Sequence, residues 1–119
     1  MRLHFLKENL SGTATAAMTL LPYGGTDFFA QRAGRVKSVT AILTEARTAG
    51  TLTIKVLKNG AAQTVLNLTI DASSTQFDDT FGDLDDIVYA AGDRMGLQAV
   101  TAAWTPTTAD VVGILELDD

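Results

Sequence analysis

The stretch RVKSVTAILTEARTAGTLTIKVLKNG, residues 35–60, decides the fold. Within it, Thr51-Leu52-Thr53-Ile54-Lys55-Val56 alternates strictly, with Leu52, Ile54 and Val56 on one face and Thr51, Thr53 and Lys55 on the other. A period of two marks a half-buried β-strand. Lys58-Asn59-Gly60 then supplies a tight turn, because Asn and Gly tolerate the positive φ that hairpin turns demand. Upstream, Val39, Ala41 and Leu43 share a face, while Val36, three residues before Val39, is out of phase with them. The pattern predicts a long strand with a bulge or bend near Lys37-Ser38. Thr48-Ala49-Gly50 connects the two strands.

Outward from this pair the same period recurs. Leu66, Leu68 and Ile70 face one way in residues 64–70, and Phe77 and Phe81 share a face in residues 75–81. Ile87-Val88-Tyr89 reads as a short strand. Ala91-Gly92-Asp93 turns the chain into a strand over residues 94–101, in which Met95, Leu97 and Ala99 alternate with Gly96 and Gln98. Residues 104–108, Trp-Thr-Pro-Thr-Thr, read as a loop. A last strand over residues 110–117 puts Val111, Gly113, Leu115 and Leu117 on one face. Nearer the start, Met18-Thr19-Leu20-Leu21 is a strand stopped by Pro22, and residues 23–27 are a turn cluster. Residues 2–6 admit two readings, a first strand or an extended arm.

Seven to nine short strands, frequent turn signals and no helical period describe an all-β chain, a sandwich or barrel. Several strands are apolar on both faces: Leu57, Val65, Val100, Val112 and Ile114 each lie opposite a core face. In a sandwich this small, such residues predict a subunit interface.

At 119 residues the chain is one domain, long enough to bury about two-thirds of its unfolded surface. It has no cysteine, which excludes disulfides, thiolate metal sites and cysteine nucleophiles together. No apolar run approaches the roughly 20 residues that span a bilayer, so no membrane insertion is expected. Met1-Arg2-Leu3-His4-Phe5 and the residues after it lack the apolar core of a secretory signal, so the sequons at Asn9 and Asn67 read as chance matches. The net charge of −5 conceals an asymmetry: residues 1–60 carry eight Lys/Arg against three carboxylates, and residues 61–119 carry Arg94 against eleven. That balance argues against a nucleic-acid partner, since phosphate tracking needs a net basic face.

Chemical motifs are absent. His4 is the only histidine and has no Ser or Asp near it in sequence, which speaks against a Ser-His-Asp arrangement. Neither a phosphate-binding loop nor a dinucleotide fingerprint occurs. Asp78, Asp79, Asp83, Asp85 and Asp86 form the best metal candidate, but the spacing is not that of an EF-hand, and a solvated acidic loop is the expectation. The same carboxylates could supply a glycosidase pair, which nothing singles out. Tyr23, Tyr89 and Trp104 could stack on sugar rings. Packing roles are the default for all three; Trp104, placed before a Thr/Pro loop, is the candidate contact residue. No enzyme and no cofactor is expected.

Three segments, GRVKSVTAILTEARTAGTLTIKVLKNG, AAGDRMGLQAVT and WTPTTADVVGILELDD, together resemble bacteriophage virion proteins with a jelly-roll domain, found in tail and head fibres and in capsid decoration proteins. The resemblance covers residues 34–118. It implies a jelly-roll β-sandwich that assembles as a homotrimer, with Gly92-Asp93-Arg94-Met95-Gly96 at the start of a strand, and it implies no enzyme. Residues 1–33 depart from the pattern and are expected to form an N-terminal arm with the first strand or strands, residues 34–119 the jelly-roll core. Nothing precedes that core except about 30 non-repetitive residues, with no coiled coil or repeat shaft. This favours a capsid decoration protein on the virion surface, bound to the major capsid protein. The alternative is a receptor- or glycan-binding knob of a tail or head fibre, facing a host-surface glycan; a polysaccharide-cleaving enzyme comes third. On this reading Arg2, Leu3, Phe5, Leu6 and Lys7 form the gripping arm, with Trp104 next in line. The arm could add a strand to a neighbouring sheet edge.

Overall fold

The computed structural model describes residues 1–22, 24–63, 68–71 and 87–118, and the backbone of residues 76–80. The strands are β1 (Arg2–Lys7), β2 (Ala14–Ala17), β3 (Thr19–Leu21), β4 (Phe28–Phe29), β5 (Gly34–Leu43), β6 (Ala49–Lys58), β7 (Ala61–Ala62), β8 (Leu68–Ile70), β9 (Gln76–Thr80), β10 (Val88–Tyr89), β11 (Arg94–Thr105) and β12 (Val111–Asp118). All pairings are antiparallel.

One sheet runs β3-β1-β12-β5, with β9 and β10 sharing the far side of β5; the other runs from β2 and β4 through β11 and β6 to β7 and β8. The chain crosses between sheets at every connection from β1 to β6, and again at β8–β9, β10–β11 and β11–β12. Treating β2 with β4, β7 with β8, and β9 with β10 as interrupted single strands, this is the eight-strand, double-sheet order of a jelly roll, with β3 added beside β1.

The stretch that decides the fold behaves as its alternation requires. Leu52, Ile54 and Val56 are fully buried, as are Val39 and Ala41. Opposite them Phe5, Met95, Leu97, Val111 and Leu115 complete the core between the sheets. The bend falls where the phase break puts it: Glu116 faces Ser38 and Leu117 faces Val36, so Lys37 is the extra, bulged residue. Asn59 and Gly60 both take positive φ, 54° and 82°. Gly50, also at positive φ, sits so close to β11 that a Cβ there would meet the Ala103 carbonyl oxygen at 2.2 Å.

Two expectations need correction. Of the two readings of residues 2–6, the first strand holds and the extended arm does not. β1 is an interior strand, paired to β12 from Arg2 to Lys7 and to β3 on its other side, while β2 and β4 both pair with β11. The physical reason is the fully buried Phe5, a ring that anchors β1 between the sheets. The second failure is Trp104. A register shift between Ala102 and Thr105, opposite Gly50, resets the alternation of β11 and turns Trp104 inward. It is 1% exposed, and its Nε1 donates to the Pro106 carbonyl at 3.0 Å. β11 therefore continues four residues beyond the expected end.

The segments that carry the family resemblance lock the two ends of the sandwich. At one end Arg94 N donates to Asn59 Oδ1 at 2.9 Å and Asn59 N donates to the Arg94 carbonyl at 2.7 Å. Asp93 accepts from the Ala90 amide at 2.8 Å and from the Asn59 side-chain amide at 3.1 Å. At the other end Asp110 accepts from the Asn9 amide at 2.8 Å, and Thr48 and Thr105 pair through their hydroxyls at 2.6 Å.

Candidate interaction face and edge groove

The two outer sheet faces differ in chemistry. On the second sheet, Val100 faces Thr53 on one side and Thr15 on the other, and Gln98 faces Lys55 and Ala17. Thr51, Ala102 and Thr69 extend this small, polar surface. Val100 thus stands as a single apolar residue among threonines. Leu57 is only 5% exposed; it pairs with Gly96, against which the Thr26 carbonyl packs on the same side, so its own chain covers it. Neither residue belongs to an apolar patch among the described residues. Val65 lies outside the described residues.

The first sheet is different. Its register aligns Leu21, His4, Ile114 and Thr40 in one row, and Thr19, Leu6, Val112 and Ile42 in the next. Leu6, Leu21, Ile42, Val112 and Ile114 therefore form a contiguous apolar patch across four strands. Leu21 and Ile42 are 38% and 42% exposed, and the other three are half-buried. The next row is charged: Arg2 pairs loosely with Glu116 at 3.9 Å, and Glu116 accepts from Ser38 Oγ at 3.1 Å. Of the predicted interface residues, Val112 and Ile114 come together here. Leu6, predicted as a capsid contact, joins them, and so do Leu21 and Ile42. Ile42 was legible as the residue out of step between Ala41 and Leu43, and Leu21 needed the pairing of β3 with β1.

The remaining predicted contacts divide by strand phase. Arg2 is exposed, Leu3 packs partly against the core, and Phe5 is unavailable to any partner. Lys7 is half-buried, with its Nζ donating to the Glu8 carbonyl at 3.1 Å. Tyr89 is 5% exposed, so it offers no stacking surface, and Tyr23 lies outside the described residues.

A groove of about 580 Å³ runs along the open side of the sandwich, where edge strand β3 of one sheet meets β4 of the other. Arg2, His4, Pro22, Asp27, Phe28 and Phe29 line it. Phe29 is 56% exposed, and Asp27 is held by Arg94 at 3.7 Å. A smaller depression of about 350 Å³, lined by Leu6, Lys7, Glu8, Thr19 and Leu21, shares Leu21 with it and reaches the apolar face.

Among the described residues, no three His, Cys, Asp or Glu side chains gather as a metal site needs. The acidic segment falls outside this statement: residues 81–86, and the side chains of Asp78 and Asp79, lie outside the described residues. Among the described residues one titration is perturbed. Asp93 is held below its ordinary value of about 3.8, first by the Ala90 amide, then by the Asn59 side chain and the Lys58 charge. Its partners, Ala90, Asn59 and Lys58, all lie at the strand ends and turns that lock this end of the sandwich, so the perturbation is structural.

No protein-family model matches the chain, and no curated protein matches it. Among solved structures it is similar to a carbohydrate-binding module, CBM36, in complex with calcium and xylotriose, at 18% identity and a TM-score of 0.40, covering 95% of this chain and 98% of that one. It is also similar to the CBM36-1 domain of a multidomain xylanase from the hindgut metagenome of Trinervitermes trinervoides, at 11% identity and a TM-score of 0.44, covering 100% of this chain and 98% of that one. Likeness at this level bears on neither ligand nor activity.

Proposed function

We propose that the protein is a structural, non-catalytic virion component: a homotrimer that decorates the outside of a phage head and contacts the major capsid protein. The observation that carries the self-assembly is the apolar outer face of β3-β1-β12-β5. Its size is informative. Four strands about 4.8 Å apart and two rows about 6.6 Å apart make a rectangle on the order of 250 Å². A stable interface takes about 800 Å² per partner. The face is therefore the apolar centre of an interface, and the row of Arg2, Glu116 and Ser38 supplies its polar rim. In a closed ring of three, each copy turns this face inward. Three as the copy number comes from the resemblance to jelly-roll virion proteins.

The capsid contact cannot be a detachable N-terminal arm, because β1 is interior. Arg2 and Lys7, at the two ends of β1, stay at the surface and could still take part. Quantitative mass spectrometry of purified particles tests the role. Hundreds of copies per particle, lost when heads are stripped of their outer proteins, are expected; a few copies that co-purify with tails would overturn decoration.

A receptor- or glycan-binding knob is the second reading. One observation favours it, the exposed Phe29 ring in a groove that also holds Arg2, His4 and Asp27.

A further inference from the structure

We infer that the groove between β3 and β4 binds a short uncharged saccharide, stacked on Phe29 and hydrogen-bonded by Arg2, His4 and Asp27. This rests on the knob reading and names its site and ligand class. A pyranose ring has an apolar face of C–H groups and a rim of hydroxyls that both donate and accept. It needs an aromatic platform beside mixed donors and acceptors. Phe29 supplies the platform: it is 56% exposed although it sits in a strand, with Phe28 beside it packed against the core. Arg2 supplies donors, since its side chain is 69% exposed and its ion pair with Glu116 is long, 3.9 Å. Asp27 supplies acceptors and is fixed by Arg94 at 3.7 Å. His4 can do either. The groove's volume, about 580 Å³, lies in the range of small-molecule sites.

Charge selects the class. Arg2 and Arg94 are offset by Glu116 and Asp27, so the groove has no surplus cation for an acidic sugar. The chain as a whole carries −5, which repels polyanions at long range. Phe29 lies on the second sheet's edge, away from the patch around Val112, whereas Arg2 and His4 lie on the first sheet beside that patch, so Phe29 is the position that probes the groove apart from self-association.

The test is an amide-resonance titration of the full chain with maltotriose, cellotriose and chitotriose, and in parallel with a sialylated trisaccharide. At least one uncharged trisaccharide is expected to shift Leu3, Gly25 and Phe29 with a Kd on the order of 1 mM. Phe29→Ala should weaken it about tenfold without changing the melting temperature. If the sialylated sugar alone shifts these residues, the ligand class is wrong and the knob reading stands. If no sugar shifts any resonance, the inference falls and only the receptor-binding form of the knob reading stands. Shifts confined to residues outside the groove would place the site elsewhere and overturn the inference.

Discussion

Phe5 and Leu6 are neighbours with opposite fates, and truncating each in turn shows whether β1 is an interior strand. Phe5 is fully buried between the sheets, while Leu6 points outward, half-buried. Cutting a buried Phe to Ala costs about 3–5 kcal/mol, the lost transfer energy plus the cavity left behind. At about 2.1 cal/mol/K per residue, a chain of this length unfolds with an entropy near 250 cal/mol/K, so Phe5→Ala should lower Tm by roughly 12–20 °C. Leu6→Ala leaves no internal cavity and should cost less than about 1.5 kcal/mol, under roughly 6 °C. Calorimetry of both variants in dilute solution decides the matter. Equal, small shifts would refute the reasoning, because they are what a detached arm would give.

Other consequences follow from single positions. Gly50→Ala must place a Cβ against the Ala102 and Ala103 carbonyl oxygens at a positive φ, so its urea midpoint should fall by the equivalent of about 3 kcal/mol or more; an unchanged midpoint would mean that β11 does not cross there. The depressed Asp93 contributes stability that is fully present above pH 3.8 and is lost as pH falls through its lower folded-state value. The stability gap between wild type and Asp93→Asn should therefore be constant at neutral pH and shrink in acid; a gap that widens in acid contradicts this. Trp104 is the only tryptophan, so native fluorescence should be that of a buried indole, resistant to iodide, with a red shift on unfolding. Strong iodide quenching of the native protein would return it to the surface.

The core was legible where residues announce their own period. The alternations through Leu52-Ile54-Val56 and Val111-Gly113-Leu115-Leu117, the bulge at Lys37 and the Asn59-Gly60 turn needed only local steric and burial rules. The misplacements arose where a tertiary contact overrode local pattern. A bulge opposite Gly50 re-phased β11, so a Trp beside a Thr/Pro segment went inward. β1 resembled an arm because its charged ends obscure a five-residue alternation, and its pairing partner, β12, lies at the other terminus. The functional surfaces were less legible still. Leu6, Leu21, Ile42, Val112 and Ile114 become a patch only through cross-strand register. Arg2, Asp27 and Phe29 share a groove only because the two sheet edges meet there.

The central claim is that copies associate through the outer face of the first sheet, and sedimentation equilibrium on wild type and on an Ile42→Lys, Val112→Lys double variant tests it most directly. Both positions face outward, so the variant should keep its native fold and melt as a single cooperative unit. Wild type should sediment as about three times the 12.6 kDa chain mass, and the folded variant as the single chain. A wild-type protein that stays monomeric, or a variant that assembles as wild type does, would contradict the account.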